Sequence, residues 1–288
     1  MSEDLRGTGL ALGLDFGLSN LDFVLLEGTD VRASWTLPSP GRASLEVLRF
    51  ALEQAGVKPG ELMYIATTGG RHRELPDSVD GTPVRKIGEA EAIGQGGLAL
   101  SGLEAALIVS AGTGTAMISA KGHSFQHLTG TAVGGGTLQG LSKLLIGTSD
   151  PEEIAGLAEQ GDPGAVDSTL KDALGGGIGH LPESATAVNF GRVLSLSKKP
   201  ERQDLAAAIV QLTAQVIGVI AVNAAHAAGF ERIVVVGHLP DIKPIRDALD
   251  LVWEFYRLDP RPVIPAGAGS ATALGAALSA IKNTDILS

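Results

Sequence analysis

The sequence predicts an α/β protein of two lobes, made by repeating one unit of three strands and a helix, with a ligand cleft between the copies. Three observations carry that expectation. The apolar run LALGLDF, from Leu10, is broken by the carboxylate of Asp15 and leads through a polar turn into two more strand-like runs. The same order restarts at Ala105, again with a turn of small residues after its first strand. A chain of 288 residues, 44% of them hydrophobic, can fill two such cores.

The first lobe is assigned to residues 1–104. LALGLDF, LDFVLLEG and VRASWTL read as consecutive strands, and SLEVLRFALEQAG as a helix with apolar residues at helical spacing. Hairpin-joined strands ending in a helix open a ribonuclease-H-like unit. LMYIATTGG reads as a short buried strand, and EAEAIGQGGLALSG as a helix ended by glycine. The second lobe, 105–288, repeats the strands as AALIVSAGTGT, AMISAKG and SFQHLTGT, then enters a helix through AVGGGTLQGLSKLL. A polar middle stretch, 147–193, reads as inserted helices and loops. A long apolar helix from Leu205, the strand ERIVVVG, the helix IRDALDLVWEFY, a short strand PVIPAG and a last helix from about Ala271 to 283 complete the lobe. That last helix is expected to pack back on the first lobe.

Composition narrows the function. A net charge of −10 and a pI near 5.1 disfavour nucleic acid or an anionic membrane as a partner and favour a small molecule. With no cysteine, disulfides, thiolate nucleophiles, iron–sulfur clusters and cysteine-type zinc sites are excluded. The acidic start MSEDLRGTG is unlike a secretory signal, so the cytoplasm is expected. The long apolar helix carries Gln211, Gln215, Asn223 and His226, which suit a lobe core or a subunit contact better than lipid.

Two turns have phosphate-binding chemistry. In SAGTGTA, glycine lets backbone N–H groups approach an anion, and the hydroxyls of Thr113 and Thr115 flank Gly114. In AVGGGTLQG, Gly134, Gly135 and Gly136 precede an apolar helix, whose N-terminal N–H groups suit the same ligand. Each could be ordinary packing; two spaced by one hairpin are more specific. Glu89 and Glu91 begin a helix, where acids often merely complement the dipole. Facing a cleft, Glu89 could take a proton from an attacking hydroxyl. VVVGHLPD and GAGSATALGAAL are suited to border the adenosine half of a nucleotide. His123 and His127, four apart on a presumed strand, would share one face, with too few companions for a metal site.

GTGTAMISAKGHSFQHLTGTAVGGGTLQGLSKLL, LAEQGDPGAVDSTLKDALG, LPESATAVNFGRV and GAGSATALGAAL occur in the order found in type II pantothenate kinases, and the chain resembles that family from Asp15 to about Leu278. The resemblance implies the actin-like ATPase fold, two duplicated ribonuclease-H-like lobes around a nucleotide cleft. It implies transfer of the γ-phosphate of ATP, with Mg2+, to the primary hydroxyl of pantothenate, in a homodimer to which the long helix contributes. Residue by residue, it makes Glu89 the general base and puts Asp15 at the cleft floor near the metal. It assigns Gly17, Ser19, Thr113, Gly114, Thr115, Gly134, Gly135, Gly136 and His238 to the nucleotide, and Glu89, Thr113 and His127 to the substrate.

The chain departs from the family's pattern at Leu18, Asp22 and His127, which stand where a glycine, a lysine and an arginine are usual. An imidazole lacks the bidentate grip of a guanidinium on a carboxylate. Two further readings therefore stand beside the first: a kinase for another hydroxyl acceptor, and a nucleotide- or acyl-CoA-binding module with little turnover. The related ATPase that activates hydroxyacyl-CoA dehydratases is excluded, because its cluster needs cysteine ligands.

Overall fold

The computed structural model describes residues 9–39 and 41–285. Strands β1 (Leu10–Phe16), β2 (Asn20–Glu27) and β3 (Asp30–Pro38) form an antiparallel meander. Helix α1 (Leu45–Ala55) follows, started by Ser44, whose hydroxyl accepts from the Val47 amide, and stopped by Gly56 in the left-handed conformation. Strand β4 (Leu62–Gly69) then runs parallel to β1, and the short strands β5 (Ser78–Val79) and β6 (Thr82–Lys86) extend the sheet, in the order β3-β2-β1-β4-β6-β5. Helix α2 (Glu89–Ser101) leads to the second lobe.

There β7 (Ala105–Ala111), β8 (Thr115–Lys121) and β9 (Ser124–Thr131) form a second antiparallel meander. Helices α3 (Gly135–Leu145) and α4 (Pro151–Ala158) follow, then β10 (Ser168–Thr169), α5 (Leu170–Leu174) and β11 (Thr186–Val188) in the inserted stretch. The chain ends with α6 (Arg202–Ala228), β12 (Ile233–Val236), α7 (Lys243–Phe255) and α8 (Ala271–Asp285). Since β12 lies parallel to β7, the order β12-β7-β8-β9 retraces the path β4-β1-β2-β3. The repeat read from the sequence is a repeat of topology.

Two differences have local causes. Residues 262–267 form no strand: only Val263 pairs, with Val234, because Pro262 and Pro265 supply no N–H to extend the ladder. The β5–β6 hairpin was not anticipated, because its strands are too short to show alternation and one contains Pro83. Helix α6 is long and apolar enough to cross a membrane, yet most of it is buried in the second-lobe core, beside α7, α4 and α3.

The lobes meet where α8 crosses α2 and β1. A Cβ on Gly96 would lie 1.8 Å from the Ala271 carbonyl oxygen, one on Gly275 1.9 Å from that of Ala92, and one on Gly13 2.2 Å from that of Ala273. Only glycine permits these approaches. They seat the start of α8 against the face of the first sheet that carries Ala11, Val24, Tyr64 and Ala66. By two-residue alternation that face also carries Asp15, Asp22 and Thr68. The register sets Thr36, Asp22, Asp15 and Thr68 in one row across β3, β2, β1 and β4.

Candidate functional site

A cavity of about 340 Å³ opens between the lobes at the carboxyl ends of β1, β7 and β12. Such a position is the usual ligand crevice of a parallel α/β arrangement. Asp15, Gly17 and Ser19 reach it from the β1–β2 turn, Thr113 and Gly135 from the two second-lobe turns, and His238 from the loop after β12. Six of the residues read from the sequence therefore converge on one cleft.

The two second-lobe turns are knitted together. The Gly135 amide donates to the Gly112 carbonyl at 2.8 Å, and that of Gly136 to the Thr113 carbonyl at 2.9 Å. A Cβ on Gly134 would meet both carbonyl oxygens, at 2.8 and 2.6 Å. This corrects the expected role of the triplet. The amides of Gly135 and Gly136 hold the neighbouring turn rather than facing a ligand, and Gly134 and Gly136 lie behind the cavity wall. The amides of Thr113, Gly114 and Gly134 have no backbone partner among the described residues. Thr115 is buried, and its hydroxyl donates to the Val133 carbonyl at 2.9 Å, so its side chain braces the turn instead of lining the cleft.

On the first lobe, Asp15 stands at the cleft floor with its carboxyl pushed up to about 7. Removal from water is the main cause, followed by the charges of Asp22 and Glu89, while His238 pulls the other way. Gly69 makes its room: a Cβ there would lie 2.5 Å from Asp15 Oδ1, and its φ of 85° also favours glycine. The buried hydroxyl of Thr68, next to Asp15 in register, has no hydrogen-bond partner among the described residues. Ser19 Oγ lies 2.8 Å from Thr113 Oγ1, which joins the first turn to the second lobe. Leu18 also borders the cavity and is 77% exposed.

His238 is placed differently from the sequence expectation. It borders the cleft, but both ring nitrogens are engaged by acids: Nε2 lies 2.8 Å from Asp22 Oδ1 and Nδ1 3.0 Å from Asp241 Oδ2. These bonds push its pKa up to about 10, against the effect of burial, so the ring is an imidazolium at neutral pH. Thr36 Oγ1 donates to the same Asp22 oxygen at 2.6 Å. Sequence reasoning missed this use of Asp22. Its one legible signal was that Asp15 and Asp22 flank the hairpin turn symmetrically, which makes them a cross-strand pair.

Glu89 is the first residue of α2, exposed, and near enough to raise the Asp15 pKa by its charge, although it does not line the cavity itself. His127 is exposed on β9, paired with Ile118, also outside the cavity lining. His123 belongs to the turn before β9, so the two histidines do not share a strand face as expected. Among the described residues no cluster of three metal-ligating side chains occurs.

Comparison with known proteins gives the family and the fold. The Fumble family model matches residues 105–259, more than half of the chain. A type II pantothenate kinase of Oceanobacillus iheyensis is 34% identical over 176 residues, which span 59% of this chain and 64% of that protein. One from Bacillus cereus (strain G9842) is 26% identical over 234 residues, 77% of this chain and 83% of that one. The aligned stretch thus falls just short of two thirds of the first relative and exceeds it in the second. In fold alone, the chain is similar to the activator of the 2-hydroxyisocaproyl-CoA dehydratase from Clostridium difficile, solved with bound ADPNP: TM-score 0.67, 19% identity, 96% of both chains covered. A ROK family glucokinase from Streptomyces griseus, solved with glucose and AMPPNP, gives a TM-score of 0.62 at 16% identity, over 95% of this chain and all of that one. The duplicated fold, the paired glycine turns and the extent of the family match together show that the chain belongs to the Fumble family, that of the type II pantothenate kinases.

Proposed function

We propose that this protein is a kinase that uses ATP to phosphorylate the primary hydroxyl of pantothenate, the first step toward coenzyme A. The observation that carries the proposal is the convergence of Asp15, the β1–β2 turn and both second-lobe turns on one cleft. The Thr113 amide, which borders the cavity and has no backbone partner among the described residues, would supply a donor for a phosphate oxygen once the Ser19–Thr113 hydroxyl pair parts. Leu138, Leu239 and Ile242 give the other end of the cleft an apolar wall suited to adenosine.

Asp15 fits Mg2+. That ion is commonly held by one or two carboxylates together with substrate phosphates, so Asp15 suffices even with the neighbouring Asp22 carboxylate engaged by His238 and Thr36. The Gly69 cradle and the orphaned Thr68 hydroxyl beside it are polar surroundings such an ion would use. The metal would neutralise charge on the transferred phosphoryl group. Glu89 would take the proton of the attacking hydroxyl, with Thr113 and His127 contacting the acceptor.

A second reading draws on Asp22, which sets another carboxylate beside Asp15 where phosphate would lie: nucleotide or acyl-CoA binding with little turnover. Incubation with Mg-ATP and pantothenate, then with other small alcohols, separates the readings. Phosphopantothenate formation that falls about a hundredfold or more in E89Q, with ATP affinity retained, supports the kinase. Phosphorylation of another alcohol alone moves the acceptor, and ATP binding without turnover on any acceptor favours the module. The proposal includes a cytoplasmic homodimer joined through α6, whose half-buried Leu212, Val216 and Val219 form an apolar stripe. A monomer by light scattering would remove that part.

A further inference from the structure

His238 is a partition. On one side it borders the cleft, and on the other, with Asp241, a second hollow of about 560 Å³ between β3 and the loop Ile264–Ser270. Its ring fills a slot that exists because residue 269 is glycine, where a Cβ would fall 2.4 Å from His238 Cε1. A ring free to swing would merge the two spaces and remove one wall of the cleft. What holds it from the first lobe is Asp22, whose side chain is 7% exposed and whose Oδ1 accepts from both His238 Nε2 and Thr36 Oγ1. Thr36 in turn fixes that carboxylate from the next strand.

We propose that Asp22 is a positioning residue for the nucleotide cleft: from the first lobe it holds the His238 ring in the wall of the second-lobe pocket, so that the pocket takes its shape only when both lobes contribute. The inference rests on the nucleotide reading of the cleft and goes beyond it, because it gives a buried acid beside the phosphate region a constructive role. Asp241 alone cannot do this, since it is 63% exposed and belongs to the same loop as the histidine.

The test measures the affinity of a non-hydrolysable ATP analogue by calorimetry, and the unfolding midpoint, for wild type, D22A, D22N, H238A and D22A/H238A. D22A should weaken binding about tenfold. D22N should stay within about threefold of wild type, since one amide oxygen can accept both bonds. The double variant should bind no worse than H238A alone, a coupling of about 1.4 kcal/mol. If Asp22 acted only as a repulsive charge near phosphate, D22A and D22N would both bind more tightly, and the inference would be overturned. If it were only a packing element, D22A would lower the midpoint with affinity unchanged, which overturns it equally. Losses that multiply in the double variant do so as well. Should D22A not fold, T36V takes its place: it should weaken binding in the wild-type background and not in H238A, and equal losses in both count against the inference. A wild-type protein that binds no ATP analogue sinks the nucleotide reading itself, whereas wild-type binding indifferent to residue 22 sinks only the inference.

Discussion

Asp15→Asn should stabilise the ligand-free protein while destroying its activity. The folded state raises this carboxyl from 3.8 to about 7, mostly by taking it out of water. Because the folded pKa lies above the unfolded one, the native state holds the extra proton between the two values. Stability therefore falls as pH rises from about 4 to about 7, and the cost is complete above that. The whole shift corresponds to ~4 kcal/mol, and partial exposure of the side chain reduces the expected cost to about 2 kcal/mol. Asparagine has no charge to desolvate. In thermal unfolding with a chelator present, D15N should exceed wild type near pH 8 by roughly 5 °C. Near pH 5, where the wild-type group is already protonated when folded, the gap should shrink to roughly a third. Under the proposed role of Asp15, turnover with Mg-ATP should drop about a thousandfold, because the group that would hold the metal has lost its charge. D15N no more stable than wild type near pH 8, or stabilised equally at both pH values, would refute the reasoning.

Gly134→Ala should force the two second-lobe turns apart, since its Cβ would lie 2.6 Å from the Thr113 carbonyl oxygen; the KM for ATP should rise about tenfold or more in steady-state assays. Gly96→Ala, aimed at the Ala271 carbonyl where α2 crosses α8, should cost about 2–3 kcal/mol in denaturant unfolding. Gly140→Ala, on α3 with nothing within 4 Å of its Cβ, should instead gain about 0.5–1 kcal/mol in the same experiment. His238 has a folded pKa of about 10 against 6.5 unfolded, so its contribution, about 2 kcal/mol after discounting exposed Asp241, is full below 6.5 and lost as pH rises through 10. The unfolding midpoint should fall across that window in wild type and fall less in H238Q; parallel curves would remove the ion pair from the account.

Much of the fold was legible because its signals are local. Strands β1, β2, β7 and β8 announce themselves by apolar runs of strand length, β3 by alternation, and α1 by its serine cap and closing Gly56. Where two signals compete, local reading fails. PVIPAG has the apolar content of a strand, but its prolines remove the donors that a ladder needs. The four-residue spacing of His123 and His127 suggests a shared face only if both lie in the strand, and the hairpin turn takes His123 out of it.

The candidate site divides along the same line. That the SAGTGTA turn and the glycine triplet suit an anion, and that Asp15 interrupts an apolar strand, follows from residue type and order. Which atoms are available for it does not. The Gly135 and Gly136 amides are committed to carbonyls of a turn more than twenty residues earlier, and Thr115 turns its hydroxyl into the protein. The pairing of Asp22 with His238 joins residues 216 apart. No periodicity or motif can encode that pair, because its distance depends on how glycine contacts at the α2–α8 crossing set one lobe against the other. By itself the sequence determined two copies of one topology and six of the residues that border their cleft, since short-range hydrogen bonding and hydrophobic alternation specify each unit. Only the tertiary structure decided the charge state and partners of those residues, because desolvation and ion pairing depend on groups that meet through space.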